Sequence, residues 1–146
     1  MVTFAADAAA HVREIAHTAD VGLEIDAPSL PLLFERAGIG MLALMTDLDT
    51  IECSEDRTFC LDGDGVEELL HDWLQRLLVA FQTGGFAIAA LEVTFVGDRH
   101  VDGIAAGEPF DPARHPFHGE LKAVTWHELA VRRVDDGWTA RVIFDV

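Results

Sequence analysis

The stretch V-E-E-L-L-H-D-W-L-Q-R-L-L-V-A-F, residues 66 to 81, is the strongest structural signal in the chain. Apolar residues recur here every three or four positions and form one stripe, with charged and amide side chains beside it. The stripe consists of Val66, Leu69, Leu70, Trp73, Leu74, Leu77, Leu78 and Phe81. Gly84 and Gly85 follow as a helix stop. The pattern predicts an amphipathic helix.

A second helix is predicted upstream, in S-L-P-L-L-F-E-R-A-G-I-G-M-L-A-L-M, residues 29 to 45. The residues with helical spacing are Leu30, Leu33, Phe34, Ala37, Met41 and Leu44. Ser29 is the expected N-cap. Gly38 and Gly40 each cost about 1 kcal/mol relative to alanine inside a helix, so their presence indicates close packing against another element.

Most of the remaining chain has strand-like patterns. The stretch G-L-E-I-D at 22–26 alternates between apolar and acidic residues, and W-T-A-R-V-I-F-D-V at 138–146 places Trp138 and Val146 on one face and Asp145 on the other. A three-residue D-D-G loop at 135–137 joins this last run to the preceding one and predicts a β-hairpin. The predicted fold class is α+β, with a largely antiparallel β-sheet packed with two main amphipathic helices.

Length and composition are typical of one globular domain. The chain has 146 residues, of which 50% are hydrophobic and 25% charged. We expect a single domain over residues 1–146, with residues 1–10 as a loosely ordered lead-in. No long apolar run or signal peptide is present, which favours a cytoplasmic protein that does not span a membrane. Cys53 and Cys60 form no CxxC motif and are expected to be buried thiols.

The charge is strongly acidic. Twenty-six acidic side chains oppose ten basic ones, which gives a net charge of −16. Nucleic-acid binding needs clusters of lysine and arginine, so direct contact with RNA or DNA is disfavoured. Such a surface favours cations or a positively charged protein partner, although net acidity also serves solubility alone.

Motifs of common enzymes are missing. The sequence contains no phosphate-binding glycine loop, no G-x-S-x-G elbow and no HExxH helix. His115 and His118 have a spacing that zinc ligands sometimes use, but no cysteine pair accompanies them and Pro116 would break a helix. A surface loop with two solvated histidines is therefore the favoured interpretation of this segment.

A metal site is one of two interpretations of the acidic residues at the ends of the predicted strands. Asp20 precedes the strand at 22–26, and Asp145 lies on the less apolar face of the last strand, beside the α-carboxylate of Val146. If these strand ends meet, three negative groups come together, and like charges need protons or a cation between them. Oxygen ligands suit Ca²⁺, Mg²⁺ or Mn²⁺. From spacing alone, two solvated aspartates are the more common arrangement.

Several motifs together resemble the archease family. They are H-T-A-D-V-G-L-E at 17–24, L-F-E-R-A-G-I-G-M-L-A-L-M-T-D at 33–47, E-L-L-H-D-W-L-Q-R-L-L at 68–78, G-E-P-F-D at 107–111, L-K-A-V-T-W-H-E-L at 121–129 and V-I-F-D-V at 142–146. The order of the motifs matches that of the family. Trp126 stands where a tyrosine is usual, which preserves an aromatic side chain.

The resemblance implies an accessory protein rather than an enzyme. Archeases activate the RtcB-type RNA ligase of tRNA splicing and RNA repair, promoting its guanylylation and multiple turnover. Their metal pocket corresponds to Asp20, Asp145 and Val146 here, with Ca²⁺ favoured and Mg²⁺ or Mn²⁺ as alternatives. The final carboxylate would then be a ligand. No catalytic residue is expected, and roles for His17 and Lys122 remain open.

Two other classes of function stay as alternatives. A chaperone-like protein for nucleic-acid-processing enzymes would act on several clients without needing Asp20. A small metal-dependent enzyme would turn over a phosphate ester alone, yet no general base or nucleophile stands out in the sequence. The oligomeric state is not indicated.

Overall fold

Two long helices each contact two antiparallel sheets in the computed structural model. The structure describes residues 2–17 and 20–146, and it describes all of their side chains except those of residues 16 and 17. The helices are α1 Ala5–Ala8, α2 Leu30–Ala43 and α3 Val66–Gln82, of which α2 and α3 are the two long ones. The first four strands are β1 Thr3–Phe4, β2 Val12–His17, β3 Asp20–Ala27 and β4 Glu55–Asp62. The others are β5 Phe86–Val96, β6 His100–Pro109, β7 Ala123–Val124, β8 Ala130–Val134 and β9 Gly137–Asp145. Short 3₁₀ turns occupy Ala9–His11 and Leu48–Thr50.

Every strand pairing in the described residues is antiparallel. The first sheet has the order β1-β5-β6-β4, and the second has the order β2-β3-β9-β7, with β8 also paired to β9. Strands β4 and β5 both run antiparallel to β6, so they are parallel to each other. The unit β4-α3-β5 is therefore a split crossover, in which β6 lies between the two parallel strands. The predicted α+β class is confirmed.

Other elements pack closely against two sides of helix α2, and its two glycines leave room for them. A Cβ added at Gly38 would meet Leu77 Cδ1 of α3 at 2.9 Å, and it would also clash with Leu91 of β5. A Cβ added at Gly40 would meet Val12 Cγ1 of β2 at 2.7 Å. The predicted close packing is confirmed, and Ser29 caps the helix by accepting a hydrogen bond from the Leu32 N–H.

Helix α3 buries the predicted stripe. Its buried residues are Leu69, Leu70, Trp73, Leu74, Leu77, Leu78 and Phe81. Trp73 is fully buried, and its indole Nε1 donates a hydrogen bond to the Phe34 carbonyl of α2 at 3.0 Å. The two helices are therefore joined by a polar contact inside an apolar core. No helix in the described part of the chain is long and apolar enough to cross a membrane.

Two expectations, the loose lead-in and the buried cysteines, need correction. Residues 3–11 are not a loose lead-in, since they form β1, α1 and a 3₁₀ turn, and Thr3 is buried. Cys53 and Cys60 are both exposed, because Cys53 precedes β4 and Cys60 is on the opposite face of β4 from the buried Phe59 and Leu61. A hydrogen bond to Asp102 raises the pKa of the Cys60 thiol.

The predicted hairpin forms, with a shorter connection than expected. Gly137 belongs to β9 and is opposite Val134, so only Asp135 and Asp136 connect β8 to β9. The run before the hairpin is also interrupted between β7 and β8 by residues 125–129.

Candidate metal centre

The strand register brings Asp20 and Asp145 together. They are directly opposite each other in the antiparallel pairing of β3 with β9. Directly opposite residues have Cβ atoms about 4.5–5.5 Å apart and side chains on the same face. Residues separated by 125 positions in sequence are thus brought side by side, which is the condition that the sequence analysis left open.

The alternation of β3 and β9 places this pair outside the core. Val21, Leu23 and Ile25 of β3 share one face with Phe144 and Val142 of β9, and the last four of these five are buried. The opposite face carries the acidic positions of β3 and Asp145. Asp20 is partly buried and Asp145 is exposed. The pair is therefore open to solvent ions at one end of the second sheet.

Strand β7 holds Asp145 from its other side. Ala123 is opposite Asp145 in the β7–β9 pairing, and the Lys122 N–H donates a hydrogen bond to the Asp145 carbonyl at 2.7 Å. The exposed residue Lys122 is thus next to Asp145 through the backbone. Val146 follows directly and is 43% exposed.

The other residues of the H-T-A-D motif are less informative. The β2–β3 register places His17 opposite Asp20. Thr18 and Ala19 lie outside the described residues, as does the His17 side chain. The expectation for His17 therefore stays a prediction.

The described side chains supply two of the expected ligands. Within residues 2–17 and 20–146, no group of three or more His, Cys, Asp or Glu side chains is arranged to hold a metal ion. The third expected ligand is a main-chain terminus, the α-carboxylate of Val146. Carboxylate oxygens are hard donors that suit Ca²⁺, Mg²⁺ and Mn²⁺, so the chemistry of the donor set fits such an ion.

Opposed carboxylates on neighbouring strands are themselves unfavourable. Like charges directly opposite each other destabilise an antiparallel pair, and either a proton or a cation relieves the repulsion. The two inner strands of the second sheet, β3 and β9, carry this arrangement at their ends.

The segment with His115 and His118 differs from the expected solvated loop. His115 is 1% exposed, accepts a hydrogen bond at Nδ1 from the Asp111 N–H at 2.9 Å, and contacts Glu108 through Nε2 at 3.0 Å. His118 is exposed, with Nε2 at 2.7 Å from Asp47 Oδ1. The first histidine is therefore a structural residue.

A further feature near this site is an aromatic stack that was not expected from the sequence. His71 of α3 and Trp126 stack with ring centroids 3.8 Å apart and planes 11° from parallel, while Trp126 remains 56% exposed. The sequence shows a polar residue, His71, beside the apolar stripe of α3, which could have indicated a functional group. Its partner Trp126 lies 55 positions away, so the stack was not predictable.

Comparison with known proteins agrees with this architecture. Residues 13–146 match the model of the archease protein family. The chain belongs to the archease family. The resemblance inferred from the motifs is therefore confirmed.

Archease relatives match nearly the whole chain. The archease of Methanopyrus kandleri is 38% identical over 136 residues, which cover 91% of this chain and 97% of that protein. The archease of Methanosarcina acetivorans is 32% identical over 134 residues, which cover 89% and 92%.

Solved structures show the same fold. The solution structure of protein 1598 from Methanobacterium thermoautotrophicum aligns with a TM-score of 0.77 and 29% identity, covering 93% of this chain and 99% of that one. The crystal structure of a Thermotoga maritima archease, described as a possible chaperone, aligns with a TM-score of 0.63 and 22% identity, covering 92% and 96%.

Proposed function

We propose that this archease-family protein is an accessory factor that activates an RtcB-type RNA ligase in tRNA splicing or RNA repair. It promotes guanylylation of the ligase and multiple turnover, and it performs no chemistry alone. The proposal rests on family membership and on one observation, the opposed pair of Asp20 and Asp145. The acidic net charge of −16 suits a ligase that must be basic to bind RNA.

We propose that the pair binds a divalent metal ion. Asp20, Asp145 and the α-carboxylate of Val146 hold it, with Ca²⁺ favoured over Mg²⁺ or Mn²⁺. Calcium takes about six to eight oxygen ligands, so this set leaves positions for water or for groups of the partner. The ion supplies positive charge that can attract phosphate oxygens during guanylylation.

Ion binding is tested on the isolated protein. An ion that binds only the folded state stabilises it by about 2.7 kcal/mol at a concentration 100 times its Kd. We expect Ca²⁺ to raise the melting temperature of the wild type and to leave Asp20→Asn and Asp145→Asn unchanged. Glu24→Gln, on the same face of β3, is the matched control and should respond as the wild type does. An equal response of all four proteins would contradict the site.

Activation is tested with the cognate ligase. The reaction contains GTP, Mn²⁺ and excess RNA with 2′,3′-cyclic phosphate and 5′-hydroxyl ends, and the protein is substoichiometric. We expect the wild type and Glu24→Gln to increase turnover, and Asp20→Asn and Asp145→Asn to lose this effect. A wild type that does not activate the ligase would refute the proposed function.

The role of Val146 is tested by extension. Adding residues after Val146 replaces its carboxylate with a peptide carbonyl and removes one negative charge. We expect a C-terminal tag to weaken Ca²⁺ binding and activation more than the same tag at the N-terminus. Equal affinity of both tagged proteins would exclude the α-carboxylate as a ligand.

A chaperone function is the second candidate, because the Thermotoga maritima archease is described as a possible chaperone. A chaperone would suppress aggregation of several unrelated nucleic-acid enzymes at ratios near one to one. Asp20→Asn would then protect clients as well as the wild type does. The same variant therefore separates the two candidates.

A further inference from the structure

Trp126 is an exposed aromatic residue on a rigid support. Its indole stacks on His71, whose side chain is only 12% exposed. Both His71 ring nitrogens are held, Nδ1 at 2.9 Å from Asp72 Oδ1 and Nε2 at 2.9 Å from the Val124 carbonyl. We call this stacked pair the Trp126–His71 platform.

Helix α3 fastens the chain on both sides of Trp126. Gln75 Oε1 accepts a hydrogen bond from the Val124 N–H at 3.1 Å, and Glu67 Oε2 accepts one from the Val131 N–H at 2.9 Å. Glu67, His71 and Gln75 are spaced four residues apart, so they lie along one face of α3. Their side chains form hydrogen bonds with main-chain groups of Val124 and Val131 at the edge of the second sheet, where another strand would otherwise pair.

The turn that carries Trp126 is also fixed internally. Both the N–H and the hydroxyl of Thr125 donate to the Ile143 carbonyl, at 3.0 Å and 2.9 Å, and the Leu129 N–H donates to the Trp126 carbonyl at 3.3 Å. An exposed indole held this firmly loses little conformational entropy on binding. Tryptophan residues of this kind dominate the binding energy of many protein interfaces.

The surroundings of the platform indicate what it binds. Asp72 contacts His71 itself, and Glu67 and Glu68 lie one turn before His71 on α3. Glu128 follows Trp126 by two residues and is paired with Arg141 at 2.6 Å. An indole face beside carboxylates favours an arginine or lysine side chain through cation–π attraction. The same carboxylates repel the phosphates of any nucleic acid whose base would stack there.

The platform and the metal centre can contact one partner. Trp126 is three residues beyond Ala123, which is opposite Asp145. Three extended residues span at most about 11 Å and paired strands are about 5 Å apart, so the Cα atoms of Trp126 and Asp145 lie within about 16 Å. A standard protein interface readily covers this distance.

We propose that the Trp126–His71 platform is the docking anchor for a basic surface of the partner ligase, which places an arginine or lysine on the indole. This rests on the proposed function, since it takes the ligase as the partner. The platform binds the partner, whereas the carboxylate pair acts after binding. Loss of Trp126 therefore raises the concentration needed for activation but leaves the maximal activation intact.

The test measures affinity for the ligase and activation over a range of protein concentrations, with Ca²⁺ present. Trp126→Ala is compared with Trp126→Phe, with Asp20→Asn and with Phe95→Ala, which removes an aromatic residue of similar exposure (51%) from the first sheet. Ca²⁺ binding by Trp126→Ala, unchanged from the wild type, checks that the variant is folded.

We expect Trp126→Ala to weaken the complex at least about tenfold, as hot-spot residues do, and to regain full activation at saturation. Trp126→Phe should lose less affinity for the ligase than Trp126→Ala does. Phe95→Ala should bind the ligase within about twofold of the wild type, as expected outside an interface. Asp20→Asn should remain inactive at saturation.

Three results would overturn the inference. If Trp126→Ala binds as tightly as the wild type, or Phe95→Ala weakens binding equally, the platform is not the anchor although the proposed function stands. If the wild type binds single-stranded RNA through Trp126, the occupant is a nucleic acid. If the wild type does not bind the ligase at all, the proposed function and this inference both fail.

Discussion

Gly22 leaves room for two isoleucine side chains close to the proposed metal site. It is two residues from Asp20 on β3, and a Cβ at this position would meet Ile15 Cγ1 at 2.6 Å and Ile143 Cδ1 at 2.8 Å. These isoleucines belong to the two neighbouring strands, so a side chain at position 22 would force the isoleucine side chains to shift.

We predict that Gly22→Ala destabilises the protein by about 1–3 kcal/mol, the usual cost of overpacking. It should also weaken Ca²⁺ binding, because the displaced Ile143 side chain is two residues from Asp145, on the same face of β9. Chemical denaturation and calorimetry with Ca²⁺ measure the two effects. An unchanged free energy of unfolding would show that the isoleucines rearrange freely.

Glu35 is a buried carboxyl that fastens the N-terminal strand. It is 3% exposed and accepts hydrogen bonds from the Thr3 hydroxyl at 2.5 Å and from the Val93 N–H at 2.7 Å. Burial raises the pKa of Glu35 above its ordinary value of 4.5, although the two hydrogen bonds oppose this shift. The folded state therefore holds this proton more tightly than the unfolded state.

The raised pKa of Glu35 predicts a loss of stability with increasing pH. Its contribution is fully present below about pH 4.5 and is lost as the pH rises through the folded pKa. Glu35→Gln keeps an acceptor for Val93 and cannot ionise, so above that pKa it should be at least as stable as the wild type. Glu35→Leu should lose about 1–3 kcal/mol for each donor left unpaired. Melting temperatures at several pH values distinguish these outcomes.

At the level of elements, Glu108 anchors the segment between β6 and β7, residues 110–122. This carboxylate at the end of β6 accepts hydrogen bonds from the Glu52 N–H at 2.8 Å, from Arg114 Nη2 at 2.5 Å and from His115 Nε2 at 3.0 Å. The Glu52 N–H, followed by Arg114, lowers the pKa of Glu108 from 4.5 to about 2. A segment with little regular structure is thereby held against the core.

The lowered pKa of Glu108 predicts acid sensitivity of this segment. Its contribution to stability is present above about pH 4.5 and is lost as the pH falls through about 2. Glu108→Gln should therefore lower the melting temperature at pH 7 and differ less from the wild type near pH 2. Glu55→Gln, an exposed carboxyl on β4, is the control and should have little effect. A constant difference between Glu108→Gln and the wild type at all pH values would contradict this account.

At the scale of the whole molecule, the charge of −16 should control association with a basic partner. The Debye length falls from about 10 Å at 0.1 M salt to about 3 Å at 1 M, so long-range attraction weakens as salt is added. We predict that the association rate with the ligase falls steeply with increasing NaCl, while the dissociation rate changes less. Stopped-flow kinetics over a salt series would measure both rates. A salt-independent association rate would exclude charge complementarity as the driving force.

The sequence by itself determined the local structure and the family. The apolar stripe of α3, the Ser29 cap of α2 and the alternation of β9 follow from interactions between residues close in sequence, which composition and spacing reveal. It also identified Asp20 and Asp145 as candidates, through the motifs that surround them.

Tertiary structure alone decided which distant residues meet. The pairing of Asp20 with Asp145 depends on the register of β3 with β9, and the stack of Trp126 on His71 depends on how α3 approaches β7. The site of the buried His115 also depends on a distant residue, since its partner Glu108 accepts a hydrogen bond from the Glu52 N–H, 56 positions away. Strand register and helix placement result from packing of the whole core, so local sequence patterns cannot specify these contacts.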